Sequence, residues 1–541
     1  MKKIFLILSL LGLCFNVESL NYFVSDISGN DNNNGLSIGT AFKTIQRAAD
    51  LTLPGDTVFV LNGTYTNPCP DCNVVTISRS GTQNAWIVYM NYPSNAPMIQ
   101  FDGWQGFQVI DGAGFIEING FHICGNSATV TLDSALNQPG SCNNPGGTID
   151  PKYNGAGIQM YGLNDFSSGH PHHVRIVNNI IFNCCGAGVS SAQSDYLTIE
   201  KNLIYNNGWY TIFGYSGIDF YQNWNFDNDT TNYRIIVRNN RMFGNMNFVP
   251  WPGAPCALTD GNGIIVDDSK NTQNGSTIGP YHGKTYITDN LVYGSGGVGI
   301  HVYLSEHVRI VNNTTYFNQQ TPDILNGEID ASSSNDIIIR NNVLFAMTNK
   351  PINTNWNNTN IQYDYNLYNG GNGSFIPGSN TLIGDPKFVN PTLTIDADFQ
   401  VNSGSPTIDN GSSIFAPDLD FKGATRPYGN GFDVGAYESN FISGIPFFAQ
   451  SESVILEQNY PNPVDGFTTI KFNLLDIEPI TLCVFDVFGN EVISFPTKIY
   501  IAGEHFIFLN TQKLSAGSYV IKLQSSNKVV FKKMIIKNHC Y

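Results

Sequence analysis

One phrase recurs six times along this chain and restricts the folds it can adopt. Each copy is an alternating hydrophobic strand that ends in Asn. Three copies read Val174–Arg175–Ile176–Val177–Asn178–Asn179, Leu197–Thr198–Ile199–Glu200–Lys201–Asn202 and Ile235–Ile236–Val237–Arg238–Asn239–Asn240. The others are Tyr286–Ile287–Thr288–Asp289–Asn290, Val308–Arg309–Ile310–Val311–Asn312–Asn313 and Ile337–Ile338–Ile339–Arg340–Asn341–Asn342. The final Asn residues are 23, 38, 50, 23 and 29 positions apart. A minimum step of 23 residues, with short strands and no helical period, is one turn of a parallel β-solenoid. The longer steps are the same turn carrying inserted loops. Such a molecule is a rod with a long flat face, suited to lying along a polymer.

The 541 residues exceed one ordinary domain. Charged residues make up only 13%, against 53 glycines and 12% aromatics, a profile that fits a turn-rich, all-β secreted protein. The net charge of −16, with no basic cluster, argues against nucleic acid as a partner. An acidic polysaccharide would need a bridging cation. Residues 1–19 read as a signal peptide: Met1–Lys2–Lys3, an apolar run from Ile4 to Phe15, then Val17–Glu18–Ser19. Cys14 raises a lipoprotein alternative, but Leu13 is large where such sites want a small residue. No other apolar segment reaches membrane length, so no transmembrane segment is expected. Nine cysteines remain after the leader, an odd number. Cys69 and Cys72 are expected as a local staple or a plain pair of thiols. Cys124 and Cys142 bracket an insertion and are placed to close it.

Residues 22–65 contain Tyr22–Phe23–Val24–Ser25, the short amphipathic helix Thr44–Ile45–Gln46–Arg47–Ala48–Ala49–Asp50, and then Pro54–Gly55–Asp56–Thr57–Val58. This segment resembles the opening of right-handed parallel β-helix proteins, which include many secreted polysaccharide lyases. The physical reading agrees, because a helix here caps the open end of the rod. The β-helix domain is expected over 20–440, with its rungs ending near residue 375. Residues 385–438, with Gly404–Ser405–Pro406 and Asp433–Val434–Gly435–Ala436–Tyr437–Glu438, resemble the closing segment of bacterial β-helix domains and are read as a C-terminal cover. A linker at 441–454 follows. Beyond it come Asn459–Tyr460–Pro461–Asn462–Pro463, Val484–Phe485–Asp486–Val487–Phe488–Gly489 and Lys532–Lys533–Met534–Ile535–Ile536–Lys537. Residues 455–538 resemble the type A sorting domain of the type IX secretion system of Bacteroidota, giving a last domain at 455–541. The resemblance implies a small Ig-like β-sandwich, the type IX machinery as partner, and a product that is secreted or attached to the outer surface. A plain Ig-like binding module is the alternative.

A second repeated phrase carries the candidate chemistry. It is a Gly, a buried aliphatic, then alternation: Gly157–Ile158–Gln159–Met160–Tyr161, Gly188–Val189–Ser190–Ser191–Ala192 and Gly217–Ile218–Asp219–Phe220–Tyr221. Gly263–Ile264–Ile265–Val266–Asp267–Asp268 and Gly299–Ile300–His301–Val302–Tyr303 continue it. With a period of two, the aliphatic points into the rod and the residues on either side of the next inward position point to solvent. Stacked rungs then give one outer column of Gln159, Ser190, Asp219, Ile265 and His301. Its neighbour is Tyr161, Ala192, Tyr221, Asp267 and Tyr303. Tyrosine rings cover the apolar faces of sugars while carboxylates and amides hold hydroxyls. Gln159, Tyr161, Tyr221 and Tyr303 are therefore candidate substrate-binding residues. The alternative is a solvated strand face with ordinary strand composition.

Three insertions flank the strip, at 126–154, 246–262 and 269–284. Loops this long in a repeat array point to function. Trp251 is a candidate sugar platform, or a turn residue packed on the rod. Asp260, Asp267 and Asp268 form the densest acidic cluster and are candidate Ca²⁺ ligands; calcium would neutralise a uronate carboxylate. A nearby base, His301 or Lys284, would then remove the proton α to that carboxylate. In a hydrolase, Asp219 and Asp267 would be acid and base. Their rung positions put them roughly 8 Å apart, within the span that inverting glycosidases use. His170–Pro171–His172–His173 reads as a polar loop. The Asn-x-Asp, Asp-Asp and Gly-His-Gly set of β-helix hydrolases is not reproduced. The lyase family whose opening this chain resembles uses a lysine base with an Asp cluster, and no single lysine here matches that context. The chain thus reads as a monomeric, polysaccharide-binding β-helix protein. A lyase acting by β-elimination on a uronic-acid-containing glycan comes first; a glycoside hydrolase or a non-catalytic adhesive protein are the alternatives.

Overall fold

The computed structural model describes residues 19–162, 169–253, 255–441, 454–474, 477–487, 489–525 and 529–537. The expected leader and linker lie almost wholly outside the described residues. The chain divides into two compact units, Met1–Phe448 and Ala449–Tyr541.

The first unit is a right-handed parallel β-helix of three sheets. The first sheet runs from Asn21–Val24 to Thr359–Asp364, the second from Val75–Ile77 to Asn355–Trp356, and the third from Thr64–Thr66 to Leu382–Ile383. One turn supplies His172–Val177 to the first sheet, Ile180–Phe182 to the third and Val189–Ala192 to the second. The next turn begins at Asp195–Glu200. Inward residues such as Ile176, Ile181 and Val189 are buried in one continuous core.

The Asn-Asn phrase turns the corner between the first and third sheets. Its penultimate residue, Asn178, Lys201, Asn239, Asp289, Asn312 or Asn341, has φ between 52° and 57°, a left-handed conformation that Asn and Asp, five of these six, tolerate best. The final Asn points inward. Asn202 Nδ2 donates to Asn240 Oδ1 at 3.0 Å, and Asn240 Nδ2 to Asn290 Oδ1 at 3.0 Å. The ladder continues through Asn313 and Asn342 to Asn366. Burying amides is tolerable only because every member is hydrogen-bonded. A second inward pair, Asn207 and Asn245, stacks in the same way at the next corner.

The helix Ile45–Ala49 buries Ile45, Ala48 and Ala49 against the first rungs, with the Thr44 hydroxyl accepting from the Arg47 N–H. The closing segment is not an end cover. Phe388, Phe399, Val434 and Ala436 pack along the flank of the third sheet, against Tyr293, Tyr316 and Val343. Arg426 anchors it through buried ion pairs to Asp289 and Glu438. The flank needs this cover because the outward residues of the third sheet, among them Phe243, Tyr293 and Tyr316, are aromatic. The cysteine expectation is also corrected. Cys69 pairs with Cys72, but Cys142 pairs with Cys256 and leaves Cys124 free. The bond therefore joins the 126–154 insertion to the 246–262 loop instead of closing the first on itself.

The second unit is a small, mainly antiparallel sandwich. Phe467–Leu474 pairs with Gly503–Asn510, while Glu478–Phe485 lies between Glu491–Tyr500 and Gly517–Gln524. Tyr460–Asp465 pairs with Phe467–Leu474 and touches Val529–Ile536, linking the two layers. Alternation along each strand buries Ile470, Phe472, Ile480, Leu482, Ile521 and Leu523.

Candidate active site

The second sheet carries both outer columns in the register that the repeats imply. Gln159 pairs with Ser190, Ser190 with Asp219, Asp219 with Ile265, and Ile265 with His301. In the neighbouring column Tyr161 pairs with Ala192, Ala192 with Tyr221, Tyr221 with Asp267, and Asp267 with Tyr303. The strip does not face open solvent as expected. The columns point out of the rod, but loops rise beside them and form a half-open cavity of about 770 Å³. Asp219 is only 8% exposed, and Gln159 and Ser190 are buried.

The walls come from three places. Trp251, Thr259 and Asp260 enter from the 246–262 loop, Gln273 and Asn274 from the following one, and Phe213 and Tyr215 from the connection before the Asp219 strand. A small apolar cluster of Val130, Ala135, Ile212 and Val249 stands behind the wall, and the Cys142–Cys256 bond ties two of the loops together. Gly214 allows a close approach: a Cβ there would lie 2.7 Å from Asp260 Oδ2.

Three carboxylates share this enclosure. Burial pushes Asp219 well above the usual carboxylate range, and the nearby Asp267 and Asp260 push the same way. Burial also raises Asp267, to about 7, with Asp260 adding to the shift and the Gln273 amide, 2.7 Å from Oδ1, opposing it. Asp260 is raised chiefly by burial, although it accepts from the Thr259 hydroxyl at 2.7 Å. His301 is a different case. Burial, the largest single influence, lowers it, but Asp330, 2.5 Å from Nδ1, together with Asp260 and Asp267, outweighs burial and raises it. The described lining contains Asp71, Asp219, Asp260, Asp267 and His301 but no lysine or arginine. The imidazole is thus the one side chain in that lining able to carry positive charge.

Gln159, Tyr161, Asp219, Tyr221 and Trp251 line this cavity, as do Asp260, Asp267, His301 and Tyr303. Two expected residues are placed elsewhere. Lys284 lies on a strand of the first sheet and donates to the Thr231 carbonyl. Asp268 is fully buried at a corner with φ 53°, where its carboxylate accepts from the Thr272 and Gln273 backbone N–H groups and from Gln222. Consecutive strand residues face opposite ways, so Asp268 cannot join Asp267 in the strip. The proposed calcium donors therefore do not converge. Among the described residues no group of three His, Cys, Asp or Glu side chains is arranged to hold a metal ion. The His170–His173 segment is not a simple loop either: His172–Val177 is a strand, and the His173 ring stacks between Phe115 and Tyr196.

Residues 458–537 match the family described as a secretion system C-terminal sorting domain. The second unit is a type IX sorting domain. The chain is accordingly an exported protein, secreted or held at the outer surface. No helix among the described residues is long and apolar enough to cross a membrane. No curated protein matches the chain. Among solved structures, pectate lyase Pel9A is 16% identical, with 78% of this chain and 97% of that one covered and a TM-score of 0.45. The GH136 lacto-N-biosidase from Eubacterium ramulus is 15% identical, covering 69% of this chain and 62% of that one, TM-score 0.39. The mannuronan C-5 epimerase AlgE6 A-module from Azotobacter vinelandii is 16% identical, covering 63% and 92%, TM-score 0.33. At these scores the likenesses carry no argument about the reaction, which has to be read from the side chains of the cavity.

Several site residues were not visible as such in the sequence. Asp330 pairs with His301 in the first column, but Glu328 stands where its rung would carry the signature Gly. Gln105 and Gln108 precede the first recognised copy of the phrase, and both amides donate to Gln159 Oε1. Phe213 and Tyr215 lie in a connection that no repeat marked.

Proposed function

We propose that the solenoid is a glycoside hydrolase acting on a neutral glycan, with Asp219 as general acid and Asp267 as general base. The observation that carries this reading is a pair of enclosed carboxyls on adjacent rungs whose environments separate their proton affinities. Burial and two neighbouring carboxylates all push Asp219 towards its protonated form, whereas Asp267, near 7, is held back by Gln273 and His301 and is partly ionised at neutral pH. Two carboxyls tuned apart in this way are the usual basis for acid and base roles in one site.

In this scheme Asp219 donates its proton to the glycosidic oxygen as the bond to the anomeric carbon breaks. Asp267 takes a proton from the water that attacks that carbon from the opposite side. Asp219 ends ionised and Asp267 protonated, and exchange with solvent restores both. The register puts the two residues roughly 8 Å apart, in the range where inverting enzymes leave room for the water. His301, held by Asp330, supplies a positive N–H that limits the rise of Asp267 and is placed to donate to a sugar hydroxyl. Tyr161, Tyr221, Tyr303 and Trp251 offer ring faces to pyranose units.

The absence of lysine and arginine from the described lining weighs against the lyase alternative. A uronate carboxylate would meet four aspartates and one imidazole, and elimination α to it needs a cation opposite that carboxylate. The deciding experiment incubates the protein with neutral and acidic polysaccharides, with and without chelator. Reducing ends without ultraviolet-absorbing unsaturated ends support hydrolysis. Unsaturated ends would establish a lyase, and retention without cleavage a binding protein.

A further inference from the structure

The column that contains Tyr161, Tyr221, Asp267 and Tyr303 does not stop at the cavity. Tyr303 pairs with Ser332, and Ser332 with Trp356. Trp356 is 73% exposed, more than any other aromatic side chain described in the solenoid unit. Among the described residues no other ring stacks on it. A single exposed aromatic residue is unremarkable in itself. Its place in this column is what distinguishes this one.

The backbone holding the ring is fixed. Asn358 Nδ2 donates to the Ala331 carbonyl at 2.5 Å and to Asn355 Oδ1 at 2.7 Å. Its Oδ1 accepts from the Ser334 N–H at 2.8 Å, so the two-residue strand Asn355–Trp356 is tied to the rung before it. The residue between Tyr303 and Trp356 is the small Ser332, which raises no side-chain barrier along the column. Three rung steps separate Asp267 from Trp356, roughly 14 Å along the rod. One rung step is close to the length of one pyranose unit.

We propose that Trp356 is an outer sugar-binding platform, so that the substrate is a neutral polysaccharide lying along the solenoid axis, with a unit some three residues from the cleaved bond stacked on this indole. The inference rests on the hydrolase reading for the position of the cleaved bond. It requires a chain long enough to leave the cavity and argues against a substrate limited to a disaccharide.

The test is native affinity electrophoresis of the full chain through gels containing xylan, mannan, β-glucan or arabinan, with polygalacturonate and alginate as charged comparators. At least one neutral polymer should retard the wild type. Trp356→Ala should weaken that retardation about tenfold, and Trp356→Phe should keep most of it, as expected for loss and retention of a stacking face. Leu419→Ala, at a similarly exposed apolar position of the closing segment, is the control and should migrate as wild type. Equal retardation of wild type and Trp356→Ala overturns the inference even if reducing ends are released, and leaves the hydrolase reading standing. Retardation that depends on Trp356 without any hydrolysis supports the platform and removes the hydrolase reading. No retardation by any neutral polymer, or retardation by the acidic polymers alone, overturns the platform as stated. A wild-type dimer that becomes monomeric in Trp356→Ala, seen by light scattering, would reassign the ring to a contact between copies and overturn it as well.

Discussion

His301 Nδ1 lies 2.5 Å from Asp330 Oδ1, on the next rung of the same column. Asp330 is fully buried, and its other oxygen accepts from Asn326 Nδ2 at 3.3 Å. The carboxylate therefore fixes both the orientation and the charge of the imidazole. In Asp330→Asn, the strongest upward pull on His301 is lost and only Asp260 and Asp267 still oppose burial, so the ring holds its proton less well. Asp267 then loses a nearby positive charge, and its proton affinity rises. The acidic limb of the kcat/KM profile should move to higher pH, whereas a purely structural role would lower activity evenly across the profile.

Replacing either enclosed carboxyl separates chemistry from stability. Asp219→Asn and Asp267→Asn should each reduce turnover by at least about 10²-fold, the scale of lost acid or base catalysis. Both carboxyls have folded-state pKa values above their unfolded values. The stability they contribute is complete below about pH 3.9 and is lost as pH rises towards the folded value, near 7 for Asp267 and well above the usual carboxylate range for Asp219. The wild-type melting temperature should therefore fall between pH 4 and pH 8, and each Asn variant should fall less. A steeper fall in the variants would contradict the enclosed, proton-holding state described for these groups.

The Cys142–Cys256 bond closes a sequence separation of 114 residues. Cys256→Ser should free the loop that carries Trp251 and Asp260 from the 126–154 insertion. Loop-closure arguments assign a bond of this span a few kcal/mol, roughly 4 to 5, with measured effects often smaller. The expected signature is a higher KM with faster proteolysis within 246–262, mapped by mass spectrometry, while the rungs stay intact.

Asn240 accepts from Asn202 and donates to Asn290. Asn240→Ala removes both bonds and leaves the Asn202 backbone N–H, which donates to Asn240 Oδ1 at 3.0 Å, unpaired inside the rod. The cost should be about 2–4 kcal/mol, from one to two buried polar groups left unsatisfied. Urea unfolding followed by circular dichroism measures it. A loss below about 1 kcal/mol would mean that water replaces the missing amide.

The rods and columns could be read directly from the residues because a strand has a fixed period of two and a solenoid stacks like on like. Gln159, Asp219 and His301 share a column by sequence alone, since each follows a Gly and an aliphatic. The enclosure could not be read in the same way. Which loop leans over which rung depends on contacts such as Val130 with Val249 and on the partner of Cys142, and no periodicity encodes either. The period of two puts Asp219 on the outer face but does not reveal the loops whose cover is the main cause of its raised proton affinity. Asp268 was read as a partner of Asp267 because the two are adjacent in sequence, yet strand alternation turns them to opposite sides.

The amide ladder makes the same bond across unequal intervals. Asn202 reaches Asn240 over 38 residues and Asn240 reaches Asn290 over 50, both at 3.0 Å. The scaffold is thus indifferent to what is spliced between its rungs. Loops can lengthen, shrink or be exchanged without shifting the carboxyls beneath them, so the carboxyl-bearing floor and the walls around it can change independently. Transplanting the 246–262 loop between solenoids of this kind is accordingly a route to new substrate preference on an unchanged acid–base pair.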